Sequence, residues 1–201
     1  MRIGIDFDNT IACYDGVFHA AALERGLIPS NLARDKNSVR DYLNGASRAD
    51  AFTELQGYVY GARMDLASPY PGFADFVTSA RKAGHDLFVV SHKTRVPMLG
   101  ARHDLHAAAR GFLTARGLIG EGTIDPVNVF FELTKEAKVD RIASLRCDAF
   151  IDDLPEIFAL AGFPSATRAI LFDPADQFGD VKFDRRASWA EISAEFCREH
   201  A

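Results

Sequence analysis

At 201 residues the chain is long enough for one well-buried α/β core with a modest insertion, and too short for two large independent domains. Apolar residues make up 48% and charged residues 25%, with a mean hydropathy of -0.06, which is the balance of a folded domain and excludes disordered and membrane-embedded classes. A net charge of -5 gives no general attraction to nucleic acid or anionic lipid, so neither a nucleic-acid polymer nor a membrane is expected as a partner.

The first expected element is a buried strand over 2–7 (RIGIDF). It starts without the charged and then apolar preface of a secretory leader, and no run approaches the roughly 18 apolar residues of a membrane span. Cys13, Cys147 and Cys197 are odd in number, widely spaced and without metal-ligand spacing, so they read as reduced thiols and a cytoplasmic location is expected. Residues 14–70 carry helical patterns at 15–25 and 49–64 but no buried strand, and that is too long for a plain loop. They are expected to form a small helical subdomain.

Beyond it, helix and strand patterns alternate. Helices are expected at about 72–83, 104–116, 135–145 and 155–161, with Gly84 and Gly117 as stop signals. Strands are expected at 86–91, 127–131, 148–152 and 168–172. From about 184 onward Trp189, Ile192 and Phe196 mark the apolar stripe of a final helix. The strand runs are continuously apolar, which suits a sheet covered on both faces. The fold class expected is α/β, a Rossmann-like doubly wound parallel sheet, with 1–13 and 71–201 as the core and 14–70 as the helical insertion.

The chemistry is concentrated at strand ends, where open parallel sheets bind ligands. In Asp6-Phe7-Asp8-Asn9-Thr10, residues 6 and 8 share one side of an extended segment while Phe7 points into the core. A carboxylate is already ionised at neutral pH and needs no base to act as a nucleophile. Its repulsion from a phosphate can be offset by a divalent cation, and Mg²⁺ suits an all-oxygen site. A second carboxyl group beside the first can act as general acid and then as base. A lone DxD would more often be a turn, so the companion motifs decide the matter. At Val89-Val90-Ser91-His92-Lys93-Thr94 a strand ends in a hydroxyl group that, with following N–H groups, can cradle phosphate oxygens. Lys135 and Lys138 open the next helix and either can serve as a charge clamp. Phe150-Ile151-Asp152-Asp153-Leu154-Pro155 is another strand ending in paired carboxylates, whose repulsion favours a cation between them and Asp6.

This ordered set resembles the four motifs of the haloacid-dehalogenase (HAD) superfamily, over most of the chain outside 14–70 and the tail. The resemblance implies Asp6 as nucleophile, Asp8 as general acid/base, Lys138 or Lys135 as clamp, and Thr10, Ser91 and His92 with the lysine as phosphate contacts. It implies Mg²⁺ held by Asp6, Asp152, Asp153 and the Asp8 backbone carbonyl. An aspartate at position 8 is similar to the phosphatase and mutase branches, and differs from the dehalogenases, which lack it. The insertion looks like a small helical C1-type cap, with Tyr14, His19, Arg48, Tyr58, Tyr60 and Arg63 as candidate specificity residues. The basic stretch His92, Lys93, Arg95, Arg102, His103 and His106 reads as a solvated loop or a substrate-recognition segment, and least as a zinc site, because the residues needed to complete one are not evident. The expected activity is hydrolysis of a small phosphorylated substrate, a nucleotide monophosphate or sugar phosphate. The competing reading is a non-catalytic protein of the same fold that binds a phosphorylated ligand.

Overall fold

The computed structural model describes residues 1–179 and 181–197. In chain order its elements are β1 (Arg2–Ile5), β2 (Ala12–Cys13), α1 (Val17–Glu24), α2 (Lys36–Gly45), α3 (Ala49–Gly61), β3 (Ser68–Pro69), α4 (Phe73–Lys82), β4 (Asp86–His92), α5 (Leu105–Ala115), β5 (Val129–Glu132), α6 (Lys135–Ser144), β6 (Ala149–Asp152), α7 (Pro155–Ala159), β7 (Arg168–Phe172), β8 (Asp184–Arg186) and α8 (Trp189–Phe196). They fall into two compact units. No helix among the described residues is long and apolar enough to cross a membrane.

The first unit takes in Met1–Ala12, Pro69–Lys93 and the chain from Thr114 onward. It is a six-stranded sheet in the order β5-β4-β1-β6-β7-β8, with every pairing parallel. This is the α/β Rossmann-like fold expected from the sequence. Building proceeds outward from β1 through β4 to β5, then reverses to β6 on its other side. The carboxyl ends of β1 and β6 therefore flank the topological switch point, where such sheets leave a crevice for ligands.

Alternation sorts the two faces. On one side Phe88, Val90, Phe150 and Leu171 pack with Ile142 of α6 and Phe158 of α7. On the other, Phe172 meets Trp189 of α8, which also packs against Phe73 and Phe76 of α4 at ring separations of 4.7 and 4.9 Å. Trp189 is fully buried, and its indole Nε1 donates to the carbonyl of Thr10 at 3.0 Å. The tail stripe Trp189, Ile192 and Phe196 is buried as the spacing predicts, under an N-cap in which Ser188 accepts from the Glu191 N–H.

The tail does not begin as helix, however. Asp184–Arg186 forms the sixth strand, an addition to the five apolar strands expected. Its residues are Asp-Arg-Arg, so it carries no apolar signal. An edge strand held by ion pairs of Arg168 and Arg186 with Asp184 and Glu195 needs none.

The second unit comprises Cys13–Ser68 and Thr94–Leu113. Its helices α1, α2 and α3 pack around Phe18, Val39, Leu43, Leu55 and Val59. The segment from Thr94, which the sequence-based division leaves in the core, joins this unit through a glycine face on α3. A Cβ at Gly57 would lie 2.5 Å from Pro97, and one at Gly61 would lie 2.4 Å from His103. The missing side chains let the segment lie directly on the helix.

In the first unit Gly4 plays the same part within β1. A Cβ there would sit 2.5 Å from the ring of Phe150, which is fully buried and cannot swing away. Gly4→Ala is therefore expected to destabilise the fold by about 1–3 kcal/mol through overpacking. Urea unfolding checks this, and an unchanged midpoint would show that the Phe150 ring yields.

Candidate active site

All the site residues expected from the sequence lie in the sheet unit. The backbone N–H of Asp6 donates to the carbonyl of Ile151 at 2.9 Å, which continues the β1–β6 pairing one step and sets Asp6 beside Asp152. Both residues are buried, at 4% and 0% exposure. Asp153 is half-buried, and one carboxylate oxygen each from Asp6, Asp152 and Asp153 lies within 4.8 Å of the others. The chain beyond Asp6 turns sharply. Asn9 adopts φ 57°, a left-handed conformation that asparagine tolerates better than most residues, and the Ile11 and Ala12 N–H groups close on the carbonyl of Phe7.

Lys138 holds the cluster together. Its Nζ donates to Asp6 Oδ1 at 2.5 Å and to Asp152 Oδ2 at 2.6 Å, and it lies 5.4 Å from the centre of the Phe150 ring. The second oxygen of Asp152 accepts from the Leu154 N–H at 3.0 Å. Helix geometry chooses between the two lysines. On α6, capped by Thr134, the side chain of Lys138 shares the buried face with Val139 and Ile142, whereas Lys135 pairs with Glu156 at 2.6 Å and is partly exposed. Of the two lysines, Lys138 is the one that meets Asp6 and Asp152.

The electrostatics follow from that burial. Burial alone would lower the Lys138 pKa, but the carboxylates of Asp152 and Asp6 outweigh it and raise it, keeping the ammonium charged. Burial pushes the Asp152 carboxyl up to about 7, with Lys138 opposing the rise and Asp6 adding to it. Asp153 is pushed well above the usual carboxylate range, first by burial and then by repulsion from Asp6 and Asp152. Fully ionised, the three carboxylates would carry more negative charge than the one lysine can neutralise.

Asp8 stands apart from this cluster. Its carboxylate is gripped by Lys93, whose Nζ lies 2.6 Å from Oδ2 and 3.0 Å from Oδ1. Lys93 is 4% exposed. A signal for it was present in the sequence. Ser91 and Lys93 are two apart at a strand end and share a side, by the same alternation that joins Asp6 and Asp8, whereas the basic composition of 92–106 directs attention to a loop. Ser91 is buried at the end of β4, opposite Phe131. His92 faces the other way, with Nε2 against the carbonyl of Leu133 at 3.2 Å. Thr10 is fully buried and its hydroxyl has no hydrogen-bond partner among the described residues.

In the helical unit most of the candidate specificity residues are engaged internally. Tyr14 donates to the Met64 sulfur at 3.4 Å, Tyr58 to Glu24 at 3.0 Å, and Arg48 to the Leu27 carbonyl at 3.4 Å. Arg63 pairs with Glu24 and Asp65, and Tyr60 accepts from Lys36 at 3.0 Å. His19 is buried, with Nε2 lacking a partner among the described residues. Within the basic stretch Arg95 approaches Asp104 at 3.9 Å.

An acidic trio of hard oxygen donors beside a buried ammonium could hold a metal ion. The fold and this arrangement define an α/β protein of the Rossmann-like class with an acidic pocket at the switch point of its sheet. No protein-family model matches the sequence, and no curated protein matches it. Solved structures do match. A predicted phosphatase from Clostridium acetobutylicum is 16% identical, with 96% of each chain covered and a TM-score of 0.58. A HAD family hydrolase from Deinococcus radiodurans with bound phosphate and sodium is 15% identical over 96% of this chain and 93% of its own, at 0.55. The HAD hydrolase YfnB from Bacillus subtilis, bound to magnesium, is 14% identical with 96% of each chain covered, at 0.50. At such identities the likeness is one of fold.

Two outcomes are expected of the cluster. Lys138→Met leaves buried carboxylates without their partner and should cost about 3–5 kcal/mol of stability in urea unfolding without added metal. The raised pKa of Asp152 means that in the metal-free protein the native state binds more protons than the unfolded chain between about pH 4 and 7. Its contribution to stability therefore falls as pH rises through that window. A divalent cation must displace those protons, so Mg²⁺ should raise Tm more at pH 8 than at pH 6. Equal shifts at both values would mean that no buried carboxyl is involved.

Proposed function

We propose that this chain is a Mg²⁺-dependent phosphatase of the HAD superfamily, acting on a small phosphorylated metabolite through an aspartyl-phosphate on Asp6. The helical unit corresponds to the small C1-type cap. The observation that carries the reading is the convergence of Asp6, Lys138, Asp152 and Asp153 at the switch point of the sheet, with a second aspartate, Asp8, two residues beyond the first. Asp8 favours phosphate chemistry over dehalogenation, because loss of a halide needs no proton whereas loss of an alkoxide does. The solved structures of similar fold that hold phosphate or magnesium support the same direction.

The residues divide the work. One oxygen of Asp6 attacks phosphorus, the bond from phosphorus to the leaving oxygen breaks, and that oxygen takes the electron pair together with a proton from Asp8. The alcohol departs. Asp8, now a carboxylate, takes a proton from water as the water attacks phosphorus, and the bond to Asp6 breaks to release inorganic phosphate and restore both groups. Lys138 stays charged throughout and offsets the negative charge gathering at Asp6. The buried hydroxyls of Ser91 and Thr10 are suited to donate to phosphate oxygens. When bound, Mg²⁺ would be held by Asp6, Asp152 and Asp153 and would supply the positive charge that lets a phosphate approach a carboxylate.

The test is phosphate release from a panel of nucleotide monophosphates, sugar phosphates and an aryl phosphate, with Mg²⁺ or with EDTA. Turnover that requires the metal and falls at least about 10³-fold in Asp6→Asn is expected. Silence across the panel, with a phosphorylated ligand still raising Tm, would point instead to a binding protein.

A further inference from the structure

We propose that Lys93 is a positioning residue for Asp8: its ammonium fixes the direction of the carboxyl group that exchanges a proton with the leaving oxygen. The inference rests on the phosphatase reading above, and begins from the separation of two lysines with two tasks. Lys138 serves Asp6 and Asp152, while Lys93 serves Asp8.

Lysine is rarely buried, because desolvating an ammonium is costly unless an acceptor compensates it. The side chain of Lys93 is nonetheless 3% exposed, while that of its partner Asp8 is 22% exposed. The pair thus has an inner, fixed member and an outer, accessible one. The inner member is itself held firmly. The Lys93 N–H donates to the Glu132 carbonyl at 2.8 Å, extending the β4–β5 pairing past the last strand residue, and its ammonium lies 5.4 Å from the centre of the Phe7 ring. Asp8, by contrast, sits on the turn beyond β1, beside the left-handed Asn9. Its backbone is held only by a single bridge to Ala12, and a two-oxygen contact at 2.6 and 3.0 Å with Lys93 sets the direction of its carboxylate.

A lysine present only to balance local charge would affect all substrates alike. One that acts through Asp8 should matter in proportion to the need for a proton. An alkyl phosphate expels a poor leaving group that needs protonation, whereas p-nitrophenyl phosphate expels a phenolate that does not.

The experiment measures kcat and KM on the best alkyl ester of the panel and on p-nitrophenyl phosphate. It compares wild type, Lys93→Met, Lys93→Gln, Lys93→Arg, Asp8→Asn and the Lys93→Met/Asp8→Asn double variant, each first shown by thermal melt to be folded. Lys93→Met should lower kcat on the alkyl ester about 100-fold with little change in KM, and lower it far less on the aryl ester. Lys93→Gln stands in for Lys93→Met if the latter does not fold. Lys93→Arg should recover part of the loss, and adding Lys93→Met to Asp8→Asn should cost little more, because the two changes remove one function. Equal losses on the two esters, or losses that multiply in the double variant, would overturn the role given to Lys93 while leaving the phosphatase reading intact. A wild type that turns over neither ester defeats both.

Discussion

Parallel strands deliver their carboxyl ends to one edge of the sheet, and in this protein that geometry crowds Asp6, Asp152 and Asp153 into a small volume largely shielded from water, with Asp8 two residues beyond Asp6 on the adjoining turn. Like charges in such a place repel strongly, because burial removes the screening that water provides. The arrangement is tolerable because two buried ammonium groups stand among the acids, each within 2.6 Å of a carboxylate oxygen. Four acids against two cations still leave an excess of negative charge. The upward shifts at Asp152 and Asp153 come first from burial, and repulsion among the acids adds to it. A divalent cation is the counter-charge the proposed chemistry requires, so the imbalance is a property of the site rather than a defect of the fold.

The hydrophobic framework serves this polar edge directly. Gly4 leaves room for Phe150, whose ring lies under the Lys138 ammonium, so an apolar contact inside the sheet sets the height of the clamp. The Leu154 N–H fixes one oxygen of Asp152, and Lys138 fixes the other. Groups so supported need little rearrangement when a substrate arrives, which is what a site working by electrostatic stabilisation needs.

The legible parts of the sequence were those with a physical reason to repeat a pattern. β1, β4, β6 and β7 are covered on both faces and so read as continuous apolar runs, and each ends close to where the pattern stops. Asp6 and Asp152 could be placed because paired carboxylates recur at the ends of two such runs, together with a strand-end serine and a helix lysine. β8 was hidden because its three polar residues are held by ion pairs, which leave no periodic trace. The choice between Lys135 and Lys138 needed the orientation of α6, which depends on how Val139 and Ile142 meet the sheet. The attachment of the segment from Thr94 to α3 was hidden for a different reason. It is written in absent side chains, Gly57 and Gly61, and an absence has no hydrophobic signature.

The bond from the Trp189 indole to the Thr10 carbonyl ties together positions 179 residues apart, across a loop that carries the proposed acid and follows the proposed nucleophile. Contacts of such sequence separation form late, since the intervening chain must be ordered or bear the entropy of closing so large a ring. During synthesis the strands β1, β4 and β6 all emerge before α8 exists. The acidic edge can therefore assemble while the loop that carries Asp8 still lacks the anchor that α8 supplies at Thr10.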